Sequence, residues 1–140
     1  MIAEELMTPK PEYVGPGSTI REVVEKMLEL DIRHLPVVEN HALVGIISDR
    51  DVRSFVLPLS AVVNDPQARE AQLDRQVHEI MHTDVVSVEA GTDVSTVIEL
   101  MLENKISAIP VVDSEGNWLK GIISYVDIIK AAQEFFESHG

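Results

Sequence analysis

Ile32-Arg33-His34-Leu35-Pro36-Val37-Val38 and Ile106-Ser107-Ala108-Ile109-Pro110-Val111-Val112 are one phrase written twice, 74 positions apart. Backward from that phrase, the same shift lays Glu5–Val38 on Glu79–Val112 without a gap, and about thirteen of those thirty-four positions are identical. A match of that density over such a length marks an internal duplication. Forward from it, after a two-residue difference in a turn, Gly45-Ile46-Ile47-Ser48 meets Gly121-Ile122-Ile123-Ser124, and Asp51 meets Asp127.

Each copy reads as the same series of elements. A short helical turn (Ala3–Met7, Val77–Met81) leads to an extended stretch ending near Val14 or Val88. A helix follows. In copy one Thr19 and Glu22 form a capping box ahead of an apolar stripe, Ile20, Val23, Val24, Met27 and Leu28, at helical spacing. In copy two Asp93 is the expected cap, and Val94, Val97, Ile98, Met101 and Leu102 repeat the stripe. Two strands come next, His34–Val38 with Leu43–Ile47 and Ala108–Val112 with Leu119–Ile123, the second pair joined by the turn-forming Asp113-Ser114-Glu115-Gly116-Asn117. A second helix opens at Ser48 or Ser124. The expected class is α/β, with β-α-β-β-α in each copy. Residues 1–57 form the first repeat, 58–76 a partly helical linker marked by Pro58 and Asn64-Asp65-Pro66, and 77–140 the second repeat. One copy alone is short of surface to bury, so two packed sheet to sheet about a pseudo-twofold axis are expected to share a core.

Composition narrows the function classes. The 140 residues are 45% hydrophobic but only 4% aromatic, so aliphatic side chains and Met must fill the core. A formal net charge of -13 opposes binding to a phosphate polymer, although a local pair of arginines can still hold a small anion. With no cysteine, disulfides and thiolate metal sites are excluded. No apolar run is long enough to span a bilayer and the acidic start has no signal core, so no membrane partner and a cytoplasmic location are expected.

The chemistry-bearing pattern is Gly-x-x-Ser-x-x-Asp. Gly45 and Gly121 lie within strands, where a missing side chain permits close backbone approach. Ser48 and Ser124 end those strands and open helices, whose first N–H groups and dipole suit a phosphate or ribose oxygen. Asp51 and Asp127 can accept both hydroxyls of a ribose. Ser-x-x-Asp is equally close to a plain capping box.

Other motifs fall away. His78-Glu79-Ile80-Met81-His82 matches the H-E-x-x-H zinc signature, but that chemistry needs a sustained helix, and extended Val85–Val88 follows almost at once. The equivalent place in copy one is Glu4-Glu5-Leu6-Met7-Thr8, which carries no histidine. No serine has a histidine and an acid to complete a triad, and Gly15-Pro16-Gly17 is a turn rather than a phosphate loop. No catalytic residue and no metal ligand is assigned. Val126, Ile128, Ile129, Ala132, Phe135 and Phe136 make the last helix apolar enough to imply a buried contact, either internal or at a homodimer interface.

The repeated phrases resemble the CBS domain, and the tandem pair is similar to a Bateman module over nearly the whole chain. The resemblance implies a regulatory, non-catalytic sensor of AMP, ADP or ATP, requiring no cofactor, with Mg²⁺ beside the phosphates an open question. It also admits S-adenosylmethionine or NAD-like ligands, or a structural dimerisation module with degenerate clefts. It implies a homodimer and a regulated partner that the sequence does not name. By this analogy one cleft takes Thr83, Val85, Ile106, Ser107 and Ala108 with Ser48, Arg50 and Asp51. The other takes Thr8, Ile32, Arg33 and His34 with Ser124, Tyr125 and Asp127. Small Ser107-Ala108 leave room for a purine, which favours the first cleft and Asp51 over Asp127. Arg33 and His34 would face phosphates, His34 adding pH sensitivity, unless Arg33 and Arg50 simply pair with Asp31 and Asp49. Tyr125-Val126 in place of Asp49-Arg50 could stack on a base or fill the second cleft.

Overall fold

The computed structural model describes residues 1–62 and 65–139, with side chains throughout except at 57–62. The chain is mixed α/β and falls into two compact units. Unit one holds residues 1–11, 41–43 and 86–140; unit two holds 12–40 and 44–85. The units therefore differ from the sequence repeats in two respects: the opening segment of each repeat belongs with the later elements of the other, and residues 41–43 of the first repeat fall in unit one.

Unit two contains α2 (Ile20–Leu30), β2 (His34–Glu39), most of β3 (Ala42–Ser48), α3 (Asp49–Val62) and α4 (Pro66–Leu73). Strands β2 and β3 pair as a two-stranded sheet. Its open edges are met by single bridges, Val14 parallel to Val37 and His82 antiparallel to Ile46. Val14, Ile20, Val23, Met27, Leu35, Val37, Ile47, Val52 and Val77 form the core. The linker is helical in large part, α3 running into it and α4 following an Asp65 cap that accepts from Gln67 N–H at 3.0 Å. Arg21 on α2 clamps α4 through Glu70 and Asp74. Val63 and Asn64 of the expected linker lie outside the described residues.

Unit one repeats the plan with α1 (Ala3–Leu6), β1 (Thr8–Pro9), β4 (Val88–Glu89), α5 (Val94–Asn104), β5 (Ala108–Val112), β6 (Leu119–Ser124) and α6 (Tyr125–His139). Its sheet order is β1-β6-β5-β4, antiparallel at β1–β6 and β5–β6 and parallel at β4–β5. Ala3, Val88, Val97, Met101, Ile109, Val111 and Ile123 are its core. These positions match Val77, Val14, Val23, Met27, Leu35, Val37 and Ile47 of unit two, so one apolar pattern has built both cores.

The strand glycines are explained by the segment that borders each sheet. A Cβ on Gly45 would stand 2.7 Å from Met81 Sδ and 3.0 Å from the His82 carbonyl oxygen. On Gly121 it would stand 2.3 Å from Met7 Sδ and 2.9 Å from the Thr8 carbonyl oxygen. The close approach that the sequence implied at these glycines is made by the protein's own Met-His and Met-Thr segments.

Two capping expectations differ in detail. Thr19 Oγ1 accepts from Glu22 N–H at 3.2 Å, which is one half of the expected capping box. Asp93 occupies the equivalent place without a side-chain cap bond. Thr96 N–H, a donor such a cap would take, bonds instead to the Asp93 backbone carbonyl at 3.0 Å, while Val94 N–H donates to the Met1 carbonyl at 3.0 Å just as Ile20 N–H donates to the Arg75 carbonyl at the start of α2.

Candidate functional site

The two Ser-x-x-Asp corners have the same construction. In unit two Ser48 N–H and Ser48 Oγ donate to Asp51 Oδ2 at 2.8 and 2.9 Å, and Asp51 N–H returns to Ser48 Oγ at 3.2 Å. In unit one the same bonds from Ser124 to Asp127 Oδ2 measure 2.8 and 3.2 Å, with the return at 3.4 Å. Both are reciprocal capping boxes. Asp49 N–H donates to the Arg33 carbonyl at 2.8 Å, and Tyr125 N–H to the Ser107 carbonyl at 3.0 Å.

This corrects the expectation of a freely donating helix N-terminus. At α3 the N–H groups of Ser48, Asp49 and Asp51 are already taken, as are those of Ser124, Tyr125 and Asp127 at α6. Of the first helical residues, Arg50 and Val126 keep an N–H to offer among the described residues. At these two helix starts, side chains and the second carboxylate oxygen therefore offer more to a ligand than backbone N–H groups do.

That second oxygen separates the corners. Asp51 Oδ1 lies 2.8 Å from His82 Nε2. The Asp51 side chain is 18% exposed and that of His82 is 63% exposed. Burial would raise the Asp51 carboxyl, but bonds from His82 and from the Ser48 backbone and hydroxyl bring it below its usual range. Asp127 has no second partner among the described residues. Thr8, the register equivalent of His82, pairs with Ile122 as His82 pairs with Ile46.

The basic residues also fall on one side of the comparison. Ile32, Arg33 and His34 lead into β2 in the same unit as Ser48, Arg50 and Asp51. The resemblance had assigned Arg33 and His34 to the Ser124 set; the Arg33 carbonyl is bonded to Asp49, and Asp51 and Asp49 act electrostatically on His34. Arg33 and Arg50 are exposed and form no ion pair among the described residues. The carboxylate of Asp49 goes instead to Arg53, at 3.3 Å. Burial is the main influence on His34 and holds its imidazole below its ordinary value, despite Asp51 and Asp49, with Arg33 adding to the depression. His34 is thus mostly neutral at pH 7.

Thr83 is exposed and Val85 half-buried in the stretch after His82. In unit one Ile106 and Ser107 are half-buried, Ala108 is buried, and Tyr125 is 51% exposed beside Ser107. Thr8 is exposed. The residue that sequence reasoning undervalued is His82, weighed only as a zinc ligand. Its register against Gly45 was the available clue. The H-E-x-x-H segment is a single 3-10 turn, Val77–Glu79, in which His78 Nε2 meets Gln76 Oε1 at 2.8 Å and Glu79 pairs with Arg75. Among the described residues no group of three or more side chains is placed to hold a metal ion. No described helix is long and apolar enough to cross a membrane.

Comparison with known proteins settles the family. A family model described as the CBS domain matches residues 3–58 and again 77–134. The chain belongs to the CBS-domain family. Among curated CBS-domain relatives, YhcV of Bacillus subtilis is 30% identical over 125 residues, covering 89% of this chain and 81% of its own. Uncharacterized protein MJ1225 of Methanocaldococcus jannaschii is 34% identical over 133 residues, 92% of this chain but 46% of that protein. An inosine-5'-monophosphate dehydrogenase of the same organism is matched over 23% of its length, so its catalytic activity does not transfer. A Vibrio cholerae protein described as an acetoin utilization protein, AcuB, superposes with TM-score 0.81 at 30% identity, covering 98% of this chain and 93% of that one. CBSX2 in complex with AMP gives 0.79 at 25%, covering 96% and 97%. The CBS domain pair of MJ0100, in complex with 5-methylthioadenosine and S-adenosyl-L-methionine, gives 0.75 at 25%, again covering 96% and 97%.

Proposed function

We propose that this CBS pair is a regulatory module without catalytic activity of its own, and that it binds an adenine nucleotide, AMP, ADP or ATP. The observation that carries the reading is the Ser48–Asp51 corner: a buried-side carboxylate beside Arg33 and Arg50, two exposed arginines without ion pairs among the described residues, in a chain of net charge -13. Arginine forks suit phosphate and the aspartates suit a sugar diol. The AMP carried by CBSX2 supports the same class, and the S-adenosylmethionine of MJ0100 keeps that ligand, and by chemistry NAD, as alternatives within it. A phosphate-bearing ligand would exploit the arginines more fully than a sulfonium ligand, which favours the nucleotides. Ile106, Ser107, Ala108, Tyr125 and Asp127 offer small and flat surfaces for a base and a carboxylate for its sugar; Thr8, Ile32, Thr83 and Val85 are the proposed flanking contacts.

A second reading has its own observation. On α6, Val126, Ile129, Phe135 and Phe136 are 47%, 59%, 56% and 68% exposed, so the internal alternative for their contact is not met within the chain. That face suits a protein interface, so a homodimer is proposed alongside nucleotide binding, in a cytoplasmic protein whose regulated partner is separate. A purely structural dimerisation role would leave the corners unused. A thermal-shift series with AMP, ADP, ATP, S-adenosylmethionine and NAD divides the readings. Binding at a hundredfold excess over Kd adds about 2.7 kcal/mol and a clear rise in Tm. Unchanged melting with every ligand overturns the sensor reading.

A further inference from the structure

The inference rests on the nucleotide reading and concerns how its two corners differ. A ribose offers two adjacent hydroxyls, and a carboxylate oxygen whose two lone-pair sites are both open can accept from the pair. Asp51 Oδ2 is occupied by Ser48 and Asp51 Oδ1 by His82 at 2.8 Å. Asp127 Oδ2 is occupied by Ser124, while its other oxygen has no partner among the described residues. The difference comes from one exchange, His82 for Thr8, at equivalent places in the two sheets.

We propose that His82 is a built-in competitor for the sugar diol at Asp51, so that this corner recognises ribose only when His82 leaves, whereas Asp127 is ready to accept. His82 is the mobile partner of the two: its side chain is mostly in solvent, while Asp51 is held at Oδ2 by the helix cap. The remaining charged groups around the bond are Arg33 and His34 at the start of β2, and Asp49, Arg50 and Arg53 on α3. Among the described residues, Arg33, Asp49, Arg50 and Arg53 make no hydrogen bond or ion pair to Asp51 Oδ1. Exchanging His82 for Thr would leave Asp51 Oδ1 as open as its counterpart on Asp127.

The test is calorimetry on the full chain with AMP and with 2′,3′-dideoxy-AMP. The wild type establishes whether AMP binds at all. Asp127→Ala then isolates the Asp51 corner, and His82→Thr is added to it. The expected result is that Asp127→Ala binds AMP weakly with little preference over the dideoxy analogue. Adding His82→Thr should then tighten AMP about tenfold and leave the analogue unchanged, since freeing a charged acceptor has about that effect. A wild type that binds AMP, with His82→Thr leaving affinity and diol preference unmoved or lowering them, overturns the competitor role while the sensor reading stands. A wild type that does not bind AMP overturns both. Matching circular dichroism and melting curves check that the variants fold.

Discussion

The Ser48–Asp51 and Ser124–Asp127 corners share a backbone plan and capping bonds that agree to within a few tenths of an ångström. They share almost nothing outside it. Copy one carries Arg33-His34, Asp49-Arg50 and the imidazole of His82; copy two carries Ser107-Ala108, Tyr125-Val126 and Thr8. Duplication has held the residues that close the helix cap and pack the sheet, and released others on the same loops. A charged corner with an occupied carboxylate and a neutral corner with a half-open one can respond to different parts, or different amounts, of one ligand.

The sharpest way to break this comparison is to attack the shared scaffold, where equality is expected. Ile47→Ala and Ile123→Ala, both fully buried, should each cost about 3 kcal/mol in urea unfolding. Gly45→Val and Gly121→Val should cost about 2 kcal/mol or more, with Gly121 the worse because its added Cβ would press both Met7 and the Thr8 carbonyl more closely. A large inequality between Ile47 and Ile123 would show that the two units do not carry equivalent cores.

Ligand affinity comes next and should separate the corners. Asp127→Ala is expected to weaken AMP about tenfold and Asp51→Ala by about threefold, the reverse of the order implied by the family resemblance. Equal losses in calorimetry would remove the distinction. Arg33→Gln and Arg50→Gln should each weaken ATP by several-fold at low salt, less at high salt, and leave adenosine unaffected. If adenosine suffers equally, the arginines are not phosphate contacts.

The smallest effect is in pH dependence. The His34 imidazole titrates below its ordinary 6.5 in the folded chain because burial disfavours its charged form. The unfolded chain therefore binds the extra proton first, and stability falls as pH drops below about 6.5, down to the lowered value. Asp51, with its carboxyl lowered, contributes at higher pH and loses that contribution only in acid, well below this window. His34→Gln should flatten the decline between about pH 7 and 5 by less than 1 kcal/mol. An unaltered slope would assign it to other groups.

Much of the fold was legible because each signal occurred twice. The Ile-x-x-Leu/Ile-Pro-Val-Val phrases became β2 and β5, and Ile20, Val23 and Met27 of one stripe and Val97 and Met101 of the other are buried in α2 and α5, whereas Leu28 and Leu102, expected in the same stripes, are 78% and 73% exposed. Local chemistry was also readable where it closes within a few residues, as at Thr19–Glu22 and Ser48–Asp51. What escaped depends on residues far apart in the chain. Gly45 looked like a sign of ligand approach, yet Met81 and His82 fill the space. His82 joins a strand end and a helix start 31 residues earlier, a pairing no local pattern encodes.

The account depends most on the aspartates at these corners being sugar ligands, and a crystal structure of the chain grown with AMP tests that directly. The predicted result is AMP with both ribose hydroxyls within hydrogen-bond distance of Asp127, and His82 displaced from Asp51 wherever a second AMP is bound there. AMP held with its ribose away from both Asp51 and Asp127, the two capping boxes intact and His82 still on Asp51, would contradict it.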